Sequence, residues 1–147
     1  MYKNILVPTD GSPHSRKAAK AAVKLAKALG ARVTAFFAAP APTPVIYGEF
    51  FPVGFAQPKE HANIIKQMAA KCLGEIEKAA TAAGVKCKAI YVTDEYPAEA
   101  ILKVAAKEKC DLICMGSHGR SGIARALLGS QTQKVIENSK LPVLVHK

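Results

Sequence analysis

Three glycines and a serine carry the strongest chemical signal in this chain. Gly116, Gly119, Gly129 and Ser130 follow a short apolar run, Leu112 to Met115, that has no polar alternation and so reads as a strand buried on both faces. Glycine lets the backbone take positive φ, and it lets another group come close to the main chain. Successive N–H groups can then line a concavity that attracts anions. Ser130 stands where an N-cap belongs and Gln133 follows three residues later, which predicts a capping box and a helix that begins at Ser130. The free N–H groups and the positive end of that helix favour negative charge. A phosphate is the ligand this pattern suits.

The elements that must hold such a cradle are legible along the chain. Ile5, Leu6 and Val7 form a first strand, broken by Pro8-Thr9-Asp10-Gly11-Ser12. Ser12 followed by Pro13 is an N-cap with proline at the first helical position, and the helix it opens repeats Ala18, Ala22, Leu25 and Leu29 on one face before Gly30. A second strand runs from Arg32 to Ala39. The segment from Pro40 to Pro58 holds five prolines with Tyr47, Phe50, Phe51 and Phe55, which predicts a long loop whose aromatics either fold onto the domain's own core or form a partner or lid surface. A long helix from Lys59 to Ala83 carries Ile65, Met68, Cys72, Ile76, Ala80 and Ala83 on one stripe. A third strand follows from Val85 to Thr93, and a helix opens at Tyr96-Pro97 bearing Ala98, Ile101, Leu102 and Ala105. After the fourth strand and the glycines come a helix around Val135 and Ile136 and a fifth strand from Leu141 to Val145, in which Pro142 points to an edge.

Strands that alternate with helices predict an α/β domain spanning residues 1–147, a doubly wound parallel sheet covered on both faces. Ligands in open sheets of this kind sit beyond the carboxyl ends of the strands, where the winding reverses. With a strand order of 3-2-1-4-5, Asp10 and Gly116 open into the same crevice. A carboxylate beside phosphates reaches them through Mg²⁺ or binds a ribose hydroxyl; the competing reading of Asp10 is a turn residue that bonds its own backbone.

Composition narrows the classes. The chain has 147 residues, enough for a core without disulfides or metal, and half of them are apolar. No run reaches the ~18 apolar residues of a membrane span, and the amino terminus enters a strand without the pattern of a signal peptide, so a cytoplasmic location is expected. Cys72, Cys87, Cys110 and Cys114 match no zinc spacing and read as reduced, structural thiols. Lys and Arg number 21 against 11 Asp and Glu. The lysines are spread along helical faces and no aromatics alternate with them, which favours a solvated surface that attracts anionic small molecules over a nucleic-acid interface.

The sequence Gly116-Ser117-His118-Gly119, nine residues, then Gly129-Ser130 resembles the ATP-binding signature of the universal stress protein family, G-x2-G-x9-G-[ST]. Ile5 to Ser12 and Leu141 to Val145 resemble that family's opening and closing strands. The resemblance implies an adenine-nucleotide-binding stress-response protein. Gly116, Gly119, Gly129 and Ser130 would hold phosphates and ribose, Asp10 with Pro8 and Thr9 would lie near the nucleotide and a Mg²⁺ ion, and Phe37 and Ala38 would meet the adenine. Met115, Ser117, His118, Arg120, Gln131 and Thr132 complete the expected ATP site. The resemblance also implies a homodimer through the edge strand at Val143 to Val145. Tyr96 before Pro97 and the aromatic loop 40–58 are less typical of the family.

No glycine loop supplies the Lys of a Walker A motif. His118 could serve as a base, although a loop histidine usually bonds backbone or water, and His14 reads as a surface residue. No catalytic residue is assigned. Nucleotide binding that sets conformation or partner choice is the leading expectation. A slow ATPase or autophosphorylating protein is a second, and a nucleotide-free scaffold or nucleic-acid binder a third.

Overall fold

The computed structural model of the chain describes residues 1–39, 58–93, 96–119 and 128–147, with the side chains of 58–61 outside the description. The aromatic loop from Pro40 and the position of Arg120 lie outside the described residues. Among the described residues nine elements follow in order: β1 (Asn4–Thr9), α1 (Pro13–Leu29), β2 (Arg32–Ala38), α2 (Pro58–Ala83), β3 (Cys87–Val92), α3 (Pro97–Lys107), β4 (Leu112–Gly116), α4 (Ser130–Asn138) and β5 (Val143–His146). The strands form one parallel sheet, as the alternation of strands and helices predicts, and their order is β3-β2-β1-β4-β5, the arrangement in which Asp10 and Gly116 lie at the same reversal. Winding runs outward from β1 to β3 and then returns to β4 on the other side of β1, so the reversal falls between β1 and β4.

Side chains alternate across the pleat and divide the core in two. Ile5, Val7, Val33, Ala35, Phe37 and Cys114 pack with α1 and α2, whereas Leu6, Phe36, Ile113 and Met115 pack with α3 and Val135 of α4. On α1 the buried residues are Ala18, Ala19, Ala22, Val23 and Ala26. Leu29 lies outside this stripe and is exposed, as is Ile136 on α4, contrary to the periodicity reading. The last buried residue of α1 is Ala26, one turn before Leu29, and Ile136 stands one residue past buried Val135, about 100° around the helix from it. All four cysteines are free thiols. Burial pushes the Cys114 thiol up to about 11, which keeps it neutral and fits a packing role.

The end of β1 opposite the carboxyl edge is fastened by polar groups that periodicity does not flag. Asp111 accepts the backbone N–H groups of Lys3 and Asn4 at 2.8 and 3.0 Å on its two carboxylate oxygens. Buried Asn4 donates to the Glu108 carbonyl at 3.0 Å and accepts from the Thr34 hydroxyl at 2.9 Å. These bonds tie β1 to β2 and to the segment that enters β4. Pairing of β1 with β4 then runs through Ile5↔Leu112 and Leu6↔Ile113, while pairing of β1 with β2 continues to Thr9↔Phe37.

Pro8 corrects the expectation that the strand ends before it. It pairs with Phe36 inside a central strand. The Lys3 carbonyl accepts from Arg32 on the β2 side and the Asn4 carbonyl accepts from Asp111 on the β4 side. By the same alternation Pro8 turns its missing N–H toward β4, beyond the last β1–β4 pair, so no ladder bond is lost.

Gly116 closes β4 beneath the first turn of α1. A Cβ there would stand 2.9 Å from the His14 carbonyl carbon and 3.1 Å from the Ser15 nitrogen, both backbone atoms that cannot swing aside. Gly116→Ala is therefore expected to lower stability by about 1–3 kcal/mol through overpacking, read as a lower urea midpoint at unchanged m-value. Asn4→Ala strands the Thr34 hydroxyl and the Glu108 carbonyl and should cost about 1–3 kcal/mol in the same measurement. A wild-type midpoint in either variant would contradict the packing described.

Candidate functional site

The reversal point brings three short segments together: the β1–α1 connection, the turn after β4, and the start of α4. Their local chemistry is set first by Ser12. Its side chain accepts the Ser15 N–H at 3.3 Å and caps α1, with Pro13 in the first turn as the sequence predicts. The Ser15 hydroxyl donates back to the Ser12 carbonyl at 2.9 Å and stands 3.1 Å from the Thr9 hydroxyl, which in turn accepts from the Gly11 N–H at 3.2 Å. Since Ser15 spends its only proton on Ser12, Thr9 is the donor to Ser15. Thr9 is buried, and its hydroxyl is part of the scaffold.

Asp10 is the turn residue of its competing reading, and its carboxylate also faces the glycine turn. One carboxylate oxygen accepts the Ser12 N–H at 2.9 Å in an Asx-type turn, while the other faces Gly119 so closely that a Cβ on that glycine would stand 2.5 Å away. The carboxylate and the glycine turn thus share one crevice. Gly119 itself is exposed, Ser117 is buried, and His118 is half-buried.

Gly129 closes the cradle on its other side. Its N–H donates to the Ser117 carbonyl at 2.6 Å, and a Cβ on Gly129 would approach the His118 Cα to 3.1 Å and the Ser117 oxygen to 3.2 Å. Thr132 fastens the first turn of α4 to the end of β4, with its buried hydroxyl donating to the Gly116 carbonyl at 2.9 Å. Ser117 donates its N–H to the His146 carbonyl at 3.0 Å, and its hydroxyl lies 3.0 Å from His118 Nδ1. The first turn of α4, Ser130 to Thr132, carries N–H groups for which no carbonyl exists within the helix.

Two local expectations are corrected. Among the described glycines positive φ occurs at Gly11, Gly30 and Gly84, not at Gly116, Gly119 or Gly129, so close approach rather than left-handed backbone is what excludes a side chain at the signature. The capping box is not formed either. Gly129 is the N-cap of α4, Ser130 is its exposed first residue, and the Gln133 side chain bonds Glu137 instead. The tight closure on Ser117 draws Gly129 into the cap position and leaves Ser130 one place too far along.

Other predicted residues divide by what they touch. Gln131 accepts the Ala98 N–H at 3.2 Å and so caps α3, whose own N-cap residue Tyr96 offers no side-chain bond. The Phe37 side chain is buried in one core and that of Met115 in the opposite one, with half-buried Ala38 packed against the latter, so none of these side chains is free to meet a ligand. Among the described residues no group of three His, Cys, Asp or Glu side chains closes around an ion. A separate cavity of about 430 Å³ lies between α1 and α2, lined among others by Thr9, Arg16, Cys72 and Glu75, and shares only Thr9 with the predicted site.

Sequence reasoning set His14 aside as a surface residue. It is exposed, yet its ring centroid lies 5.3 Å from that of His118, with the planes tilted by 48°. The signal was present: the Ser12-Pro13 cap places His14 in the first turn of α1, and the sheet order puts that turn over the end of β4.

Comparison with known proteins agrees with this architecture. The model of the universal stress protein family matches residues 1–147. Universal stress protein MJ0531 of Methanocaldococcus jannaschii is 38% identical over 152 aligned residues, which cover 100% of this chain and 83% of the relative. The solved structure of MJ0577, described as a hypothetical protein, superposes with a TM-score of 0.78 at 34% identity and covers 99% of this chain and 95% of its own. A universal stress protein solved in complex with cAMP has a TM-score of 0.69 at 29% identity, covering 99% and 96%. The chain belongs to the universal stress protein family.

Proposed function

We propose that this protein binds an adenine nucleotide, ATP with Mg²⁺, in the crevice between β1 and β4, and that occupancy regulates its conformation or partners in the stress response. The observation that carries the reading is the Asp10 carboxylate facing exposed Gly119 beside the start of α4. Main-chain N–H groups at Gly119 and in the first turn of α4 suit phosphate oxygens. A related protein of known structure that holds cAMP supports an adenine nucleotide as the class of ligand.

Asp10 is a hard oxygen donor of the kind Mg²⁺ takes, and with phosphate oxygens and waters it would hold the ion, which supplies charge neutralisation when bound. In this reading Gly116 and Gly129 shape the cradle, Ser130 and His118 border the phosphates, and the main chain at Phe37 and Ala38 borders the base. The positive net charge of the chain favours capture of the anion. Thr9 and Ser15 are committed to the α1 cap, and Ser117 bonds His118. Any turnover is therefore expected to be slow, and binding is the proposed activity.

Gly119→Val distinguishes the ligand role from a packing role. Among the described residues a Cβ there meets only the movable end of Asp10 and no backbone atom within 4 Å, so the fold should tolerate the substitution. ATP affinity measured by calorimetry should fall at least about tenfold, equivalent to ~1.4 kcal/mol, with the urea midpoint nearly unchanged. Affinity equal to wild type would refute the site.

The same reading includes a homodimer through β5. This strand lies at one edge of the sheet and exposes Leu144, an arrangement that pairing with a second copy would cover. Light scattering should give about twice the 15.6 kDa chain mass for the wild type and a monomer for Leu144→Asp. A monomeric wild type would remove the dimer from the proposal.

A further inference from the structure

We propose that His14 and His118 form an open binding site for a divalent first-row transition-metal ion of the zinc class, bound through the two imidazoles at the rim of the crevice. The site is separate from the Mg²⁺ assigned above to Asp10, and it requires no nucleotide.

Elementary coordination geometry sets the expected spacing. A Zn–N bond of about 2.0–2.1 Å places the ion about 3.2 Å from the centre of each imidazole, and a tetrahedral angle at the metal then separates the two centres by about 5.2 Å. The observed separation is 5.3 Å. Aromatic pairs tolerate a similar distance, but they gain by being packed among apolar groups. Here His14 is exposed and His118 half-buried.

Rigidity is the second argument. A ligand pair binds well only when its backbone is held before the ion arrives. The main chain of His14 is seated against Gly116, where a Cβ would meet its carbonyl carbon at 2.9 Å. The main chain of His118 is held by Gly129, where a Cβ would meet its Cα at 3.1 Å. The two imidazoles therefore project from backbones fixed on the same frame, although they stand 104 positions apart in the sequence.

Ser117 supplies the outer support common beside metal-bound histidine. Its hydroxyl is 3.0 Å from His118 Nδ1. When that nitrogen carries the proton and donates to Ser117, Nε2 becomes the ligating atom of a neutral ring. Imidazole ligation suits Zn²⁺, Ni²⁺ and Cu²⁺ over Mg²⁺ or Ca²⁺. With two protein ligands the remaining coordination positions stay open to water or to an anion. The net positive charge opposes a cation, and the Asp10 carboxylate beside Gly119 offsets it locally.

The test titrates ZnCl₂ into chelator-washed, nucleotide-free protein by calorimetry. One equivalent should bind to the wild type. His14→Ala and His118→Ala should each weaken binding tenfold or more, and Ser117→Ala should weaken it by about 10-fold or more through loss of orientation. His61→Ala and His146→Ala should bind as wild type, and unchanged urea midpoints for His14→Ala and the gentler His14→Gln separate ligand loss from unfolding. Wild-type zinc affinity in His14→Ala overturns the proposal. So does a thiolate-to-cobalt charge-transfer band when Co²⁺ replaces Zn²⁺, because it would place the ion on cysteine. The titration contains no nucleotide, so its failure would leave the ATP reading standing.

Discussion

The contact on which the site depends is one of main chain on main chain, where the first turn of α1 rests on Gly116 at the end of β4. No side chain intervenes, so the helix start is held at a distance set by van der Waals radii. That seat fixes the Ser12 cap and, through it, the Asx turn of Asp10 and the hydroxyl chain from Gly11 through Thr9 to Ser15. Each of these bonds spans six residues or fewer. Their joint effect is long-range, because they aim a carboxylate from the start of the chain at a glycine more than a hundred positions later.

The three signature glycines then divide their work by what a side chain would strike. At Gly116 it would strike the backbone of α1, and at Gly129 the backbone of Ser117 and His118, so these two positions hold the frame. At Gly119 it would strike the carboxylate of Asp10, a group able to move, so this position governs what can enter beside it. A spacing that reads in sequence as a phosphate loop is therefore also a packing requirement. The two descriptions are compatible, since a cradle of main-chain amides is useful only if nothing else can fill it and nothing lets it collapse.

Much of the frame was legible because it follows from periodicity and local stereochemistry. Ser12-Pro13 announced a helix start, and uninterrupted apolar runs announced strands covered on both faces. What escaped was decided by tertiary geometry. Pro8 survives inside a central strand because the neighbouring ladder has already ended, which no local rule could say. Gln131 caps a different helix, and Ser130 loses the cap of its own to Gly129, because the 2.6 Å closure onto Ser117 sets where α4 begins. Leu29 matches the helical period but lies beyond Ala26, the last buried residue of α1, and Ile136 stands beside the buried face that Thr132 and Val135 define. Asn4 and Asp111 carried no periodic signal, and their partners become visible only when strands β1, β2 and β4 are adjacent.

The crevice itself comes from an asymmetry along β1. At its amino end Asp111 and Asn4 supply four polar bonds that draw β1 to the entrance of β4 and to β2. Toward the carboxyl end the β1–β4 register stops at Leu6↔Ile113, while β2 stays paired with β1 through Thr9. A strand clamped at one end and released from one neighbour at the other must open a wedge on the released side, and Pro8 ensures that no N–H of β1 seeks to close it. The wedge opens where the winding of the sheet reverses, with a carboxylate on one wall and main-chain amides on the other. In the proposed reading, polar residues remote from the nucleotide open the wedge and the glycines set its shape.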